Sequence, residues 1–249
     1  MTVILNTWIY EADVKAGTPQ ADLVDRVAAV GADGIEVRRE YFTSLDTELP
    51  EVAAKAKAAG LIVNLSVPDE LFLEDGSINP KLPQYFEEGQ TLGISKIKFN
   101  TGHFDRFTGD LADAFKGLPL ETIELNVEND QTPVSGTVPA IQAFIEAAYA
   151  TGLTSIGYVY DLGNWAFTHG DATKAAQDLA GVTHYIHLKN TEEVNGELKT
   201  TDDLDRGLYD WRALLQILPK DVPFALEFPM ADDKQIAQQL ALLRAEVGA

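Results

Sequence analysis

Strand-like and helix-like segments alternate along the whole of this 249-residue chain, and no other feature of the sequence restricts its fold as strongly. Runs of β-branched and apolar residues that are typical of strands lie at residues 2–8, 35–38, 61–67, 94–100, 122–128, 155–161, 183–189 and 223–228. Patterns typical of helices lie at residues 19–30, 49–60, 82–92, 111–116, 138–151, 171–180, 210–218 and 234–247. Successive strands are about 30 residues apart, which is the length of one βα unit.

Eight such units in one chain predict an α/β fold, a single (β/α)₈ TIM barrel in which residues 1–249 form one domain. A doubly wound open sheet is the alternative, but it would usually place a glycine-rich phosphate-binding turn after the first strand. Residues 7–10 contain no glycine. We expect Pro68 to end the third strand, because proline cannot donate to a strand ladder. Residues 190–209 are expected to form a long polar loop, a kind of segment that is often functional.

The charge and composition of the chain exclude several classes of function. The formal net charge is −20, which disfavours nucleic acids and anionic membranes as partners because such affinity depends on lysine and arginine. No apolar run reaches the length of about 18 residues that a membrane span needs, and the N-terminus lacks the basic region of a signal peptide. The chain contains no cysteine, which excludes disulfides, thiolate catalysis and zinc–cysteine sites. We therefore expect a cytoplasmic protein, and whether it forms a homo-oligomer is left open.

Four strands end in residues that can bind a metal or carry protons. Glu128 ends the fifth strand, Asp161 the sixth and His187 lies near the end of the seventh, while Glu227 lies near the end of the eighth. In a TIM barrel the carboxyl ends of all the strands meet at one mouth, so these side chains are expected to converge. Glu124 has the same strand parity as Glu128 and is the alternative to it, but Glu128 is nearer the mouth. The competing interpretation is that these acids are solvated or cap the following helices.

Three carboxylates brought together repel one another, and a divalent cation would relieve that repulsion. Oxygen ligands with one nitrogen suit Mn²⁺, Mg²⁺ or Co²⁺, and Zn²⁺ is a further candidate. Glu227 is the most informative of the acids, because it lies in an apolar run at residues 224–229 where an unpaired carboxylate would be costly to bury.

The seventh strand also carries a second histidine and a lysine. Alternation places Tyr185, His187 and Lys189 on one face and His184 on the other. We expect His184 to pack against a helix or to be hydrogen-bonded. His103 follows the fourth strand, and it either lines the pocket at the mouth or lies on a surface loop.

Basic and aromatic residues are expected near the same mouth. Arg38, Lys98 and Lys189 lie toward the ends of the second, fourth and seventh strands. They could bind a carboxylate or phosphate of a substrate, or they could pair with neighbouring acids, and the sequence leaves both options open. Trp8 and Trp165 could form apolar walls for a sugar ring, although core packing is the ordinary role of tryptophan.

Five short motifs, in order along nearly the whole chain, resemble those of the sugar phosphate isomerase/epimerase family, in the xylose-isomerase-like TIM barrel superfamily. The motifs are GIEVRRE at residues 34–40, VENDQT at 127–132, YDLGNW at 160–165, YIHLK at 185–189 and ALE at 225–227. Each motif alone is weak, and the ordered set is specific for the superfamily but not for a substrate.

The resemblance implies that Glu128, Asp161, His187 and Glu227 bind one divalent metal ion. It also implies that the two glutamates act as the acid/base pair, as in the ketose 3-epimerases of the family. Those epimerases carry a histidine three residues after the aspartate, where this chain has Asn164. We expect Asn164 to bind the substrate at this position, and the departure leaves the four metal ligands intact.

The expected function is therefore a metal-dependent sugar, sugar acid or sugar phosphate isomerase or epimerase. It would remove a proton next to a carbonyl and form an enediolate. An inosose-dehydratase-like lyase and a non-catalytic sugar-binding barrel are the alternatives. AP endonucleases belong to the same superfamily, but they use several metals and more histidines. This chain has only four histidines and a net charge of −20, which disfavours that activity.

Overall fold

The computed structural model describes residues 1–248, and eight parallel strands in it close into a barrel, which confirms the predicted α/β TIM barrel. The barrel strands are β1 (Val3–Asn6), β2 (Gly34–Arg38), β3 (Ile62–Phe72), β4 (Lys96–Gly102), β5 (Glu124–Glu128), β6 (Gly157–Asp161), β7 (Thr183–Leu188) and β10 (Phe224–Leu226). Each strand pairs with its neighbour in the chain, and β10 closes the barrel by pairing with both β7 and β1.

Helices surround this barrel and follow most of its strands. The α-helices are α1 (Glu11–Lys15), α2 (Gln20–Ala29), α3 (Leu45–Ala59), α4 (Leu82–Leu92), α5 (Leu111–Ala114), α6 (Val138–Ala150), α7 (Asn164–Phe167), α8 (Ala172–Leu179), α9 (Trp211–Leu215) and α10 (Asp233–Val247). Short 3₁₀ turns lie at Thr7–Tyr10, Arg39–Tyr41, Phe104–Arg106 and Ala180–Val182. Among the described residues, no helix is both long enough and apolar enough to cross a membrane.

The expectation that Pro68 ends the third strand is wrong, because β3 continues to Phe72. The pairing of β3 with β4 is interrupted instead. Ser66 is paired with Lys98, and the ladder resumes with Glu70 opposite Asn100. Three residues of β3, 67–69, thus lie opposite the single residue Phe99 of β4. This is the irregularity expected where a proline cannot donate its share of the ladder hydrogen bonds.

The segment expected to be a long loop, residues 190–209, contains a two-stranded hairpin. The strands β8 (Thr191–Val194) and β9 (Glu197–Thr200) are antiparallel. They are joined by Asn195 and Gly196, both at positive φ. An Asn-Gly pair favours a tight hairpin turn whose two central residues have positive φ, so this element had a recognisable local signal.

The apolar core lies mostly between the sheet and the helices, and a smaller cluster lies apart from it. That cluster consists of Ile4, Val159, Tyr185 and Ala225, which come from β1, β6, β7 and β10. All four are buried, and three of them come from strands whose carboxyl ends lead to Asp161, His187 and Glu227. Close packing at this level fixes the strands against one another and so fixes the side chains at their ends.

Candidate metal and active site

The carboxyl ends of β5, β6, β7 and β10 bring four metal-ligating side chains together. Glu128 and Asp161 are the last residues of β5 and β6, His187 lies one residue before the end of β7, and Glu227 directly follows β10. One ligand atom from each lies within 4.8 Å of all the others, and all four residues are buried. Glu124, the alternative to Glu128, lies at the opposite end of β5 and takes no part in this cluster.

His187 is held between carboxylates on both sides of its ring. Its Nε2 lies 3.2 Å from Glu36 Oε2, and its Nδ1 lies 3.0 Å from Glu128 Oε1 and 3.2 Å from Glu227 Oε2. Burial acts against the charged imidazole, but the negative charges of Glu36 and Glu227 outweigh it and raise the pKa of His187 well above its usual value. When Nε2–H donates to Glu36, Nδ1 is the atom that faces the other ligands.

Glu36 and Asn6 belong to the same buried network, although the sequence did not single them out. Asn6 Nδ2 donates to Glu36 Oε1 at 2.6 Å and to Glu227 Oε1 at 3.0 Å, which ties β1, β2 and the end of β10 together. Glu36 is fully buried in the run Ile35–Glu36–Val37, an apolar setting of the kind that identified Glu227. The same reasoning could therefore have found Glu36.

Three basic side chains pair with the acids of the cluster. Lys189 Nζ lies 2.6 Å from Asp161 Oδ2 and 3.1 Å from Glu227 Oε2. Lys98 Nζ lies 2.6 Å from Glu128 Oε2 and 3.6 Å from Glu227 Oε1. The Arg38 guanidinium lies 3.0 Å from Glu227 Oε1, and its Nε donates to Glu40. The sequence left open whether these three residues bind an anionic group of a substrate or pair with neighbouring acids, and the structure shows them paired with acids.

The protonation of the acids follows from these pairs. Burial acts to raise the pKa of Glu128, but the Lys98 ammonium more than offsets it and lowers the pKa to about 2. For Glu227, Lys189, Lys98 and His187 likewise overcome burial and hold the pKa well below its usual value. Burial dominates at Asp161 and raises its pKa to about 7 despite Lys189. Both glutamates are thus ionised near neutral pH, which is the form in which a carboxylate can accept a proton.

The donor atoms of the cluster fit a divalent cation. Glu128 Oε1 and Asp161 Oδ2 are buried and have no hydrogen bond of acceptable geometry. The ammonium group near Asp161 Oδ2 is close enough for an ionic contact, but it does not satisfy that oxygen with a directed bond. Three carboxylates and one imidazole form a ligand set that suits Mn²⁺, Mg²⁺, Co²⁺ or Zn²⁺.

The cluster forms one side of a pocket of about 210 Å³ at the barrel mouth. Its lining includes Trp8, Arg38, Ser66, Val67, Pro68, Lys98, Asn100, Glu128, Asp130, Gln131, Asn164, Lys189 and Glu227. Its volume lies below the range of roughly 300–1,000 Å³ that is common for ligand pockets. The pocket thus suits a small polar molecule.

Asn164 lines this pocket, but its side-chain amide is already engaged. Its Nδ2 donates to the Asn129 carbonyl at 2.8 Å, and its Oδ1 accepts from Gln131 Nε2 at 3.0 Å. Asp130, on the same rim, accepts hydrogen bonds from Thr132 and Ser135 and so stabilises the turn that follows β5. The two turns that follow β5 and β6 are therefore fastened to each other beside the cluster.

Trp8 lies in the pocket, whereas the structure does not bring Trp165 or His103 to its lining. Trp165 is buried against Tyr160 and lines a separate groove beside α6 and α8, because it lies on α7 one residue past Asn164 and faces the core. His103 follows β4 in the turn that leads to Phe104, and its Nδ1 lies 3.9 Å from Asp105.

Of the two expectations for His184, packing against a helix or hydrogen bonding, the structure shows the second. Its Nδ1 lies 3.2 Å from Glu124 Oε1, and Lys96 Nζ donates to Glu124 Oε2 at 2.6 Å. The pairing of β6 with β7 skips His184, since Tyr158 is paired with Thr183 and Val159 with Tyr185. This bulge breaks the strand alternation locally and turns His184 toward Glu124 at the amino-terminal end of the barrel.

Comparison with known proteins identifies the fold but gives no match to the sequence. No family model and no curated protein matches the chain. Among solved structures, the probable 3-DHS dehydratase AsbF of Bacillus anthracis is similar, with a TM-score of 0.73 and 15% identity over 98% of both chains. The D-psicose 3-epimerase of Clostridium cellulolyticum H10, solved with D-tagatose, has a TM-score of 0.68 and 11% identity over 99% of both chains.

A third similar structure contains a metal. The IolI protein, solved with a zinc atom, has a TM-score of 0.70 and 14% identity over 100% of this chain and 98% of its own. At identities this low the likeness establishes the fold alone, a TIM barrel. Most of the similar structures are enzymes, and several are sugar epimerases.

Proposed function

We propose that this chain is a metal-dependent isomerase or epimerase that acts on a small sugar, sugar acid or sugar phosphate. The observation that carries the proposal is the convergence of Glu128, Asp161, His187 and Glu227, whose ligand atoms lie within 4.8 Å of one another at the barrel mouth. The names of two proteins that share the fold, a D-psicose 3-epimerase and a probable 3-DHS dehydratase, support a carbohydrate-like substrate.

The proposed reaction divides the work between the metal ion and two glutamates. A divalent ion held by the four residues would act as a Lewis acid that polarises the substrate carbonyl and stabilises the enediolate. Glu128 and Glu227 both line the pocket. One of them removes the proton from the carbon next to the carbonyl, and the other returns a proton to the enediolate. Such positioned proton transfer contributes about 10²- to 10⁴-fold to the rate.

Residues beside the two glutamates would hold the substrate in place. Trp8 offers an apolar surface to a sugar ring. Lys189 Nζ lies 5.3 Å from the centre of the Trp8 ring. Arg38 and Lys98 also line the pocket, and the N–H groups that they do not give to the neighbouring acids would donate to oxygens of a substrate. Contacts between these side chains and the substrate would fix the reacting carbon relative to the two glutamates, and such positioning supplies a large part of the rate enhancement of an enzyme.

The first test replaces one base with its amide. Glu227→Gln keeps the size of the side chain but removes the carboxylate, so turnover should fall by at least about 10²-fold while circular dichroism still reports a folded barrel. Glu124→Gln is the matched control, because it makes the same change at the opposite end of the barrel, where Glu124 pairs with Lys96 and His184. Normal turnover in Glu227→Gln would show that the assigned role is wrong.

The second measurement identifies the reaction type. A panel of ketopentoses and ketohexoses is incubated with the Mn²⁺-loaded protein in deuterium oxide and followed by proton NMR. Deuterium on the carbon next to the carbonyl is the expected result for an isomerase or epimerase. An unsaturated product would instead favour the dehydratase-type lyase. If neither exchange nor elimination occurs although a sugar binds, the chain is a non-catalytic binding barrel and the proposal fails.

A further inference from the structure

Two buried lysines each bridge a pair of the candidate metal ligands. Lys189 Nζ joins Asp161 Oδ2 to Glu227 Oε2, and Lys98 Nζ joins Glu128 Oε2 to Glu227 Oε1, at the distances given above. The two lysine side chains are only 5% and 8% exposed. Each ammonium group therefore replaces solvent as the partner of carboxylates that belong to two different strands.

Every oxygen of the three carboxylates lies within contact distance of a basic or N–H group, although Glu128 Oε1 and Asp161 Oδ2 accept no directed hydrogen bond. The lysines hold one oxygen of Glu128 and one of Asp161, and both of them contact Glu227. The remaining oxygens face His187, the Asn164 N–H, Asn6 and Arg38. A divalent ion placed among these carboxylates meets the negative charge that the two ammonium groups now balance, and at Asp161 Oδ2 and Glu227 Oε2 it competes with Lys189 for the same oxygens. Arg38 differs from the lysines because Glu40 holds its guanidinium as well, on the outer side of the pocket.

We propose, on the basis of the metal site described above, that Lys98 and Lys189 are internal counter-ions that hold the cluster assembled before a metal ion binds and are displaced when it binds. A buried carboxylate without a partner is strongly destabilising, so the lysines stabilise the metal-free barrel. The free energy by which they stabilise the metal-free state is lost when the ion displaces them, so they also weaken metal binding by that amount. Lysine suits this exchange because its ammonium is a point charge on a flexible stem, and the Trp8 ring beside Lys189 offers an alternative position.

The test exploits the opposite signs of these two effects. Lys189→Met and Lys98→Met keep most of the side-chain volume and remove the charge. In the metal-free protein, prepared with EDTA, each should lower the melting temperature by about 6–12 °C, as expected when a buried ion pair loses one partner. In calorimetric titration with Mn²⁺, each should bind the ion about 10- to 100-fold more tightly than the wild-type protein, which corresponds to about 1.4–2.8 kcal/mol of competition removed.

Lys96→Met is the matched control. Lys96 lies on the same strand as Lys98, and its Nζ lies 2.6 Å from Glu124, but that pair is at the other end of the barrel. This variant should lose stability without any change in Mn²⁺ affinity. If Lys189→Met and Lys98→Met behave like Lys96→Met, or bind Mn²⁺ more weakly than the wild type, the counter-ion proposal is wrong although the metal site stands. If no form of the protein binds Mn²⁺, Mg²⁺, Co²⁺ or Zn²⁺, the proposed function fails as well.

A measurement on the unaltered protein covers the case in which a variant does not fold. The wild-type chain is labelled with acetic anhydride in EDTA and again with saturating Zn²⁺, and the labelled lysines are read by peptide mass spectrometry. Lys98 and Lys189 should become more reactive after metal loading, because their ammonium groups leave the carboxylates. Lys96 should not change. Equal or lower labelling of Lys98 and Lys189 in the presence of Zn²⁺ contradicts the displacement.

Discussion

At the scale of single residues, the contact with Glu36 orients the His187 ring so that Nδ1 faces Glu128 and Glu227. Glu36 Oε2 lies 3.2 Å from His187 Nε2, and Asn6 holds the other oxygen of Glu36. A carboxylate behind a ligating histidine fixes the tautomer and orientation of the ring and makes the free nitrogen more basic. We therefore infer that Glu36 is a positioning residue that acts through His187.

Glu36→Gln should therefore weaken Mn²⁺ binding by about 10- to 100-fold, while the turnover of the metal-saturated protein changes much less. The measurement is calorimetric titration together with kcat at saturating Mn²⁺. Glu88→Gln is a suitable control, because Glu88 is also buried and also forms an ion pair, with Arg39 on the barrel exterior. An unchanged Mn²⁺ affinity in Glu36→Gln would remove Glu36 from the site.

The strand-end residues could be predicted from the sequence. The apolar setting of Glu36 marks it as a buried acid, but its position beside His187 could not be predicted without the register of the barrel. Glu128, Asp161 and Glu227 lie at or next to visible strand ends, so their convergence follows from the parallel closed sheet alone. Glu36 is in the middle of β2. It reaches the same level because it is paired with Asn6, the last residue of β1. The stagger between strands sets that level, and no local sequence signal encodes it.

At the scale of elements, the errors of the sequence reading lie where a strand departs from regular pairing. Pro68 interrupts the ladder of β3 without ending the strand, and the bulge at His184 turns that residue away from the face given by alternation. Both departures depend on contacts with neighbouring strands, whereas the positions of the eight strands follow from local patterns that are strong enough to read directly.

The bulge creates a second polar cluster, whose effect on stability should depend on pH. Burial acts to raise the pKa of Glu124, but hydrogen bonds from His184 and Lys96, with Asn126 adding to them, lower it below the reference value of 4.5. A lowered folded-state pKa means that the ionised carboxylate stabilises the barrel above about pH 4.5 and that this contribution is lost as the pH falls through the folded-state pKa. Glu124→Gln lacks the contribution at every pH.

Urea unfolding of the wild type and Glu124→Gln between pH 7 and pH 3 tests this directly. At pH 7 the variant should be less stable by about 1–3 kcal/mol, the range for hydrogen bonds to charged groups. That difference should shrink steadily below about pH 4.5. Glu197→Gln, at an exposed carboxylate on β9, should show no such trend. A difference that is the same at pH 7 and pH 3 would mean that Glu124 does not lose its ion pairs in this range.

At the scale of the whole molecule, the charge distribution bears on the choice between a sugar enzyme and a nuclease. The net charge is −20, and the basic residues that reach the barrel mouth, Arg38, Lys98 and Lys189, are each paired with acids there. Affinity for DNA comes chiefly from lysine and arginine that neutralise phosphates. A mouth whose cations are already paired offers a phosphate backbone little attraction.

The protein should therefore neither bind nor cleave DNA that contains an abasic site, even when it is loaded with Mn²⁺, Mg²⁺ or Zn²⁺. Electrophoretic mobility shift at about 100 mM salt should show no complex up to roughly 100 μM protein, a concentration at which even non-specific DNA-binding proteins associate. Salt dependence gives the sharper control. A basic groove gains affinity as salt is lowered, whereas long-range repulsion from a chain of charge −20 grows as the Debye length increases from about 10 Å toward 30 Å. A complex that appears and tightens at about 10 mM salt would reveal a phosphate-binding surface and would place the nuclease activity ahead of the sugar chemistry.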